Sequence, residues 1–227
     1  MNRLCIYPTS TEFLSIFKQA LNYTSNQVEI IYTSSTGVTD SNPISTLILD
    51  DNKYITKVSY KDASGNSQSA SLQYNSSGYL ISKSSSEYQV KVTYQYANGA
   101  DNPTSYTIVS YSDGVRGVVT NEYNLDQKNT MPFNFPPYDL VEPKGGITPV
   151  YYGIQVGDLL PGMSGKAPTN LIKKSTVYLA LAPTIAVKTS QYNYKYDSDG
   201  KVNHIRIDDV YGSTTFSRAV SLGYTCQ

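Results

Sequence analysis

The sequence predicts a mainly β protein, an antiparallel meander forming a strongly curved sheet or an open barrel. One N-terminal helix and a long irregular Pro/Gly-rich central segment complete the expected fold. Three observations carry it. Aromatic residues make up 12% of the 227 residues and are almost all tyrosine (22 Tyr, 5 Phe, no Trp); Tyr, Thr, Val and Ile suit a pleated, half-buried surface. Apolar and polar residues alternate with period two along most of the chain, as in strands with one buried and one wet face. Turn-forming, mostly glycine-bearing sequences separate these runs at short intervals, which indicates hairpins rather than βαβ crossovers.

The chain reads as one β-rich domain, 1–227, in four stretches. Residues 1–26 are the helical segment: Phe13, Ile16, Phe17, Ala20 and Leu21 recur at the spacing of a single apolar helix face. Thr9 and Glu12 have the spacing of a capping box. A helix over about 11–21 is expected, with Phe13, Ile16, Phe17 and Leu21 packed on a sheet.

Residues 27–125 hold the first strand set. Strands are expected at 28–33, 45–49, 54–60, 70–74, 79–83, 90–96, 105–111 and 115–123. The clearest is Val90–Tyr96, where Val90, Val92, Tyr94 and Tyr96 alternate with Lys91, Thr93 and Gln95. Turns are marked by Asp62–Asn66, Asn98-Gly99 and Ser112-Asp113-Gly114, where glycine supplies the positive φ that such turns need. Residues 126–172 form an irregular crossover in which Pro132, Pro136, Pro137, Pro143, Pro149, Pro161 and Pro168 accumulate with Gly145-Gly146 and further glycines. Repeated prolines exclude central strands there. Phe133, Phe135, Tyr138, Tyr151 and Tyr152 argue against a loose linker, so the segment is expected to pack across one end or face of the sheet. Residues 173–227 are the second strand set, with strands at 175–181, 192–196, 202–207 and 214–222.

A short repeat recurs in both sets. Tyr74-Asn75-Ser76-Ser77-Gly78-Tyr79-Leu80 matches Tyr196-Asp197-Ser198-Asp199-Gly200-Lys201-Val202, and Leu49-Asp50-Asp51-Asn52-Lys53-Tyr54-Ile55 is a third copy without the glycine. Each reads as strand, Asx-type turn, strand, with the residue before the turn facing the apolar residue after it.

Composition narrows the function. The net charge is +0, so no electrostatic footprint for a phosphate backbone exists and nucleic acid is not an expected partner. No run of 18 apolar residues occurs, so no membrane-spanning helix is expected. A surface rich in Ser, Thr, Asn and Tyr points to export. Met1–Cys5 is too short to be an export signal, so either the protein is cytoplasmic or an export segment lies outside this sequence, and the composition favours export. Cys5 and Cys226 are the only cysteines. They are either two unrelated thiols or one disulfide joining the ends of the chain, which an oxidising compartment permits.

Three stretches, in order, carry a resemblance. They are Tyr123-Asn124-Leu125-Asp126-Gln127-Lys128-Asn129-Thr130-Met131-Pro132-Phe133, then Ser164-Gly165-Lys166-Ala167-Pro168-Thr169-Asn170-Leu171-Ile172, then the hairpin Tyr192–Gly200. Together with the Tyr-rich meander they resemble uncharacterised Bacteroidetes lipoproteins of unknown function described as having a porin-like fold. The resemblance covers about residues 45–210. It departs at Thr130-Met131, which separates the usual Asn-Pro pair, and at Ala167-Pro168-Thr169, where paired Asn is usual. It implies a porin-like fold, export and attachment to the outer membrane through a lipid anchor absent from this chain. It supplies no catalytic residues.

Catalytic and metal chemistry finds little footing. His204, the single histidine, alternates onto the polar side of a strand, where a solvated or hydrogen-bonded role outweighs that of a catalytic base. Gly162-Met163-Ser164-Gly165-Lys166 fits neither the nucleophile elbow nor the phosphate loop. Asp197-Ser198-Asp199-Gly200 imitates the start of a calcium loop, but no closing Glu follows and a hairpin turn wants the same residues. Asp50-Asp51 and Asp208-Asp209 are adjacent pairs whose members face opposite sides, so they read as solvated edges, not acid/base dyads. The protein is therefore expected to be an exported, surface-anchored, non-enzymatic protein with a binding or structural role and no cofactor. An integral outer-membrane barrel and a hydrolase with an unrecognised site are the alternatives. Any ligand or partner surface, for a surface protein or a glycan, is expected to involve Phe133, Phe135, Tyr138, Tyr151 and Tyr152, since binding residues ride on loops held by a rigid scaffold.

Overall fold

The computed structural model describes residues 18–33, 45–61, 65–86, 89–97, 101–110, 114–131, 163, 165–180 and 182–221. The first strands are β1 (Lys18–Tyr23), β2 (Gln27–Thr33), β3 (Ser45–Leu49), β4 (Ile55–Lys61), β5 (Ser67–Tyr74) and β6 (Leu80–Ser85). They continue as β7 (Val90–Tyr96), β8 (Pro103–Ser110), β9 (Gly114–Lys128), β10 (Asn170–Leu179), β11 (Ala182–Tyr196), β12 (Val202–Tyr211) and β13 (Thr214–Ser221). All thirteen lie in one sheet in sequence order, each antiparallel to the next, and β1 and β13 are its two edges. The protein is mainly β, and among the described residues the meander is open.

Residues directly opposite one another share a face, so the register sorts the side chains into two sets. One face is apolar at its centre. Val28, Leu47, Val58 and Ala70 run across β2 to β5 in one row, and all are buried. Tyr106, Val119 and Val177 form another buried row across β8, β9 and β10. Tyr192 pairs with the buried Ile207, and Ile205 and Val202 lie in the same cluster. The opposite face is polar. Lys57, Ser71, Ser84 and Lys91 make one row, and Gln95, Ser105, Thr120, Thr176 and Thr189 another. A third comprises Glu122, Lys174, Gln191, Asp208 and Ser217. Hydrogen bonds follow these rows: Ser105 Oγ donates to Gln95 Oε1 at 3.0 Å, and Lys174 Nζ to Glu122 Oε1 at 3.0 Å.

The expected strands from 28–33 onward correspond in order to β2 through β13. The N-terminal helix does not hold where it can be seen. Lys18–Tyr23, including Ala20 and Leu21, is strand β1, paired with β2 from Lys18 opposite Thr33 to Tyr23 opposite Val28. The helical spacing is real, but a ladder along the whole of β2 outweighs the weak preference of a short helix. Phe13, Ile16 and Phe17 lie outside the described residues. Strand also reaches into both ends of the segment read as irregular, since β9 runs to Lys128 and β10 opens at Asn170.

The reading of Asp208-Asp209 as a solvated edge is half corrected. The two do face opposite sides. Asp208 lies on the polar face, bonded by Arg206 Nε at 2.9 Å and by Ser217; these hydrogen bonds, Ser217 first, hold its carboxyl below the usual range. Asp209 is buried, 3.3 Å from the buried Lys188 and accepting from Ser190 Oγ at 2.6 Å. An ammonium beside it, itself 5.2 Å from the Tyr211 ring centre, is what allows a carboxylate there.

Candidate functional site

The three copies of the repeat are three hairpin turns of one design. In the second, Asn75 Oδ1 accepts from Ser77 N and Tyr79 N, both at 3.0 Å, while Asn75 N donates to Tyr79 O. In the third, Asp197 Oδ1 accepts from Asp199 N at 3.0 Å and Lys201 N at 2.8 Å. The first uses Asp50 Oδ1 to accept from Tyr54 N at 2.8 Å. The short Asx side chain does the same work each time, tying down amides that the sheet leaves unpaired. Gly78 and Gly200 take φ of 87° and 75°, and in the copy without glycine Lys53 adopts 67°. Lys53 Nζ donates to Ser25 O at 2.6 Å, one contact that offsets a strained backbone.

Tyrosines near the same end of the sheet follow a rule that the sequence reading missed. Tyr74 Oη donates to Ile55 O, Tyr96 Oη to Leu80 O, Tyr123 Oη to Pro103 O and Tyr194 Oη to Ile172 O, all at 2.8 to 2.9 Å. Each phenol on an odd-numbered strand thus closes onto a carbonyl near the start of the preceding strand. Phe could fill the space but would leave the carbonyl without this donor. Burial pushes the phenols of Tyr96, Tyr123 and Tyr194 well above their ordinary range. Four tyrosines at strand ends, spaced by one hairpin, was the signal available.

The chain returning from the crossover passes over this end. Met163 O accepts from Ile55 N at 2.7 Å, and Lys166 N donates to Gly78 O at 2.8 Å. Met163 packs on the cluster formed by Val28, Leu47, Ile55 and Leu80. Gly165 (φ 82°) lies so close to Tyr74 that a Cβ there would meet Cε1 at 2.6 Å. Thr169 Oγ1 then donates to Asp101 at 3.1 Å, and Asn170 bonds Asn102 reciprocally before entering β10. Beside the return lies an open cleft of about 730 Å³ between the first two turns, lined among others by Asp50, Asn52, Tyr54, Gln73, Asn75 and Lys166. The rings of Tyr54 and Tyr74 meet there with centroids 5.1 Å apart.

The residues singled out as a ligand surface, Phe133, Phe135, Tyr138, Tyr151 and Tyr152, lie outside the described residues, as do Cys5 and Cys226. The structure therefore brings together a different set, drawn from turns that the sequence reading treated as scaffold. His204 stands opposite Lys195 on the polar face, half-exposed. Asp197, read as a turn or calcium residue, commits one carboxylate oxygen to backbone amides. Among the described residues no group of three His, Cys, Asp or Glu could hold a metal ion.

With this geometry in hand, solved structures give the comparison. A porin-like protein from Bacteroides uniformis ATCC 8492 matches over 93% of this chain and 77% of its own, with TM-score 0.53 and 16% identity. The fold is porin-like. A porin-like protein from Bacteroides vulgatus ATCC 8482 covers 92% of this chain and 87% of its own at 16% identity and TM-score 0.44. No family model matches the chain, and no curated protein does. At this identity the porin-like likeness is one of architecture.

Proposed function

We propose that this is an exported, non-enzymatic protein with a binding or structural role at the cell surface, standing in water rather than embedded in lipid. The polar face carries the proposal. A barrel that spans an outer membrane turns an apolar band about 25 Å tall toward lipid, flanked by aromatic girdles. Here that face carries rows of Lys, Ser, Thr, Gln and Glu across β4 to β12, and the apolar side chains gather on the other side. Ile48, Val118, Tyr178 and Val210 also lie on this face, Ile48 opposite Lys57 and Val210 opposite Thr189, and they interrupt its rows singly or as one pair rather than forming a belt. A lysine at the centre of the lipid face would cost about 2–4 kcal/mol, a glutamate less, so Lys57, Lys91 and Lys174 fit water.

The resemblance to surface lipoproteins and the porin-like fold support export and an outer-membrane or surface location. The absence of enzymatic chemistry is our reading, supported by where four of the described acids go: Asp50 and Asp197 to turns, Asp209 to Lys188, Asp208 to Arg206 and Ser217. The chain produced without a leader is expected to purify as a monodisperse protein in detergent-free buffer. Recovery only from membranes, and only with detergent, would overturn the proposal.

A further inference from the structure

We infer that the cleft between the β3–β4 and β5–β6 turns binds a neutral saccharide; this rests on the reading of the protein as a water-facing binding protein. The cleft's volume, about 730 Å³, falls in the range of small-ligand sites. Among the described residues its charged lining is Asp50 and Lys166, one of each sign, so it favours neither a polyanion nor a cation.

Its walls offer both halves of what a sugar needs. Vicinal hydroxyls donate and accept at once, so they select planar amides and carboxylates, and the C–H face of the ring packs on aromatic carbon. Asp50 commits Oδ1 to the turn, leaving Oδ2 as an acceptor. Asn75 commits only its carbonyl oxygen, and Gln73 uses Oε1 to accept from Ser82 Oγ, so both NH₂ groups are available. The exposed Asn52 and the half-buried Tyr54 hydroxyl make no hydrogen bond to other described residues. Tyr54 and Tyr74 supply the rings. The site is also rigid: the turns are tied internally and clamped by Met163 and Lys166 through backbone hydrogen bonds, which lowers the ordering cost of binding.

The test uses the full chain, purified without detergent, against a panel of neutral oligosaccharides (malto-, manno- and xylo-oligosaccharides) with heparin and polygalacturonate as charged comparators. Isothermal titration is expected to show at least one neutral oligosaccharide binding with little dependence on salt. Tyr54→Phe combined with Asn52→Ala should weaken it at least tenfold while the melting temperature stays within a few degrees. Gln191→Ala, on the polar face, should leave binding unchanged. Folded, soluble protein that binds no neutral member of the panel overturns the inference, as does salt-sensitive binding to the polyanions alone or binding that the double variant leaves intact. Those failures leave the water-facing reading standing, whereas dependence on detergent defeats that reading before any sugar is added.

Discussion

Two turns of the same design, Asn75–Tyr79 and Asp197–Lys201, sit in opposite surroundings. Their internal hydrogen bonds superpose in kind: an Asx oxygen on two amides, a glycine at positive φ, and a register shift in the strand just before. Yet Gly78 is buried under Tyr54 and the returning chain, whereas no atom of the described residues lies within 4 Å of where a Gly200 Cβ would be. Local sequence therefore sets the shape of a turn, and packing from elsewhere in the chain sets how much that shape matters. The closed turn borders the cleft; the open one is only a connection.

The contrast breaks most visibly at the glycines. In Gly78→Ala the left-handed backbone costs about 1–2 kcal/mol. The new Cβ would lie 2.8 Å from Tyr54 Oη, and overpacking of that kind adds about 1–3 kcal/mol. A total near 3 kcal/mol is expected by denaturant unfolding. In a Tyr54→Ala background the added cost of Gly78→Ala should shrink toward the backbone part alone, a coupling of about 1–2 kcal/mol. An unchanged cost would mean that the ring is not what makes the two turns differ.

Alkaline pH acts on the tyrosine latches. Burial raises the phenols of Tyr96, Tyr123 and Tyr194 in the folded state, so their contribution is complete below the unfolded value of about 10. It is lost as pH rises from there toward the folded values. Stability should thus fall steadily above about pH 10, and Tyr194→Phe should lessen the fall while lowering stability at pH 7 by about 1 kcal/mol.

Smaller effects come from the open turn and the copy without glycine. Gly200→Ala meets no atom of the described residues, so only the backbone cost of about 1–2 kcal/mol is expected. Lys53→Gly should come out within about 0.5 kcal/mol of zero. It relieves a non-glycine φ of 67° but loses the bond to Ser25 O and loosens the unfolded chain. Thermal melts resolve both. A Gly200→Ala cost as large as that of Gly78→Ala would dissolve the comparison.

Much of the fold was legible in the sequence because one face of the sheet is polar and the other apolar. Period two survives only when neighbours go to different faces, as Val92 and Thr93 do, and the turns announce themselves through Asx and glycine. The helix expectation failed at Ala20 and Leu21 because amphipathic spacing is local, while the pairing of β1 with β2 is not. The burial of Asp209 escaped for the same reason: its partner Lys188 is on the neighbouring strand, and neither residue carries a local sign of being inside. The cleft was illegible because it exists only where Met163, Gly165 and Lys166 lie across turns that precede them by more than 80 residues.

Ser71 tests most directly whether the polar face meets water. It lies between Lys57 and Ser84 at an exposed position. In water, Ser71→Arg is expected to change the free energy of unfolding by less than about 0.5 kcal/mol, with the protein still soluble without detergent. A loss of about 2–4 kcal/mol, the cost of an arginine facing lipid at the centre of a bilayer, measured in lipid vesicles that the protein requires to fold, would contradict the account.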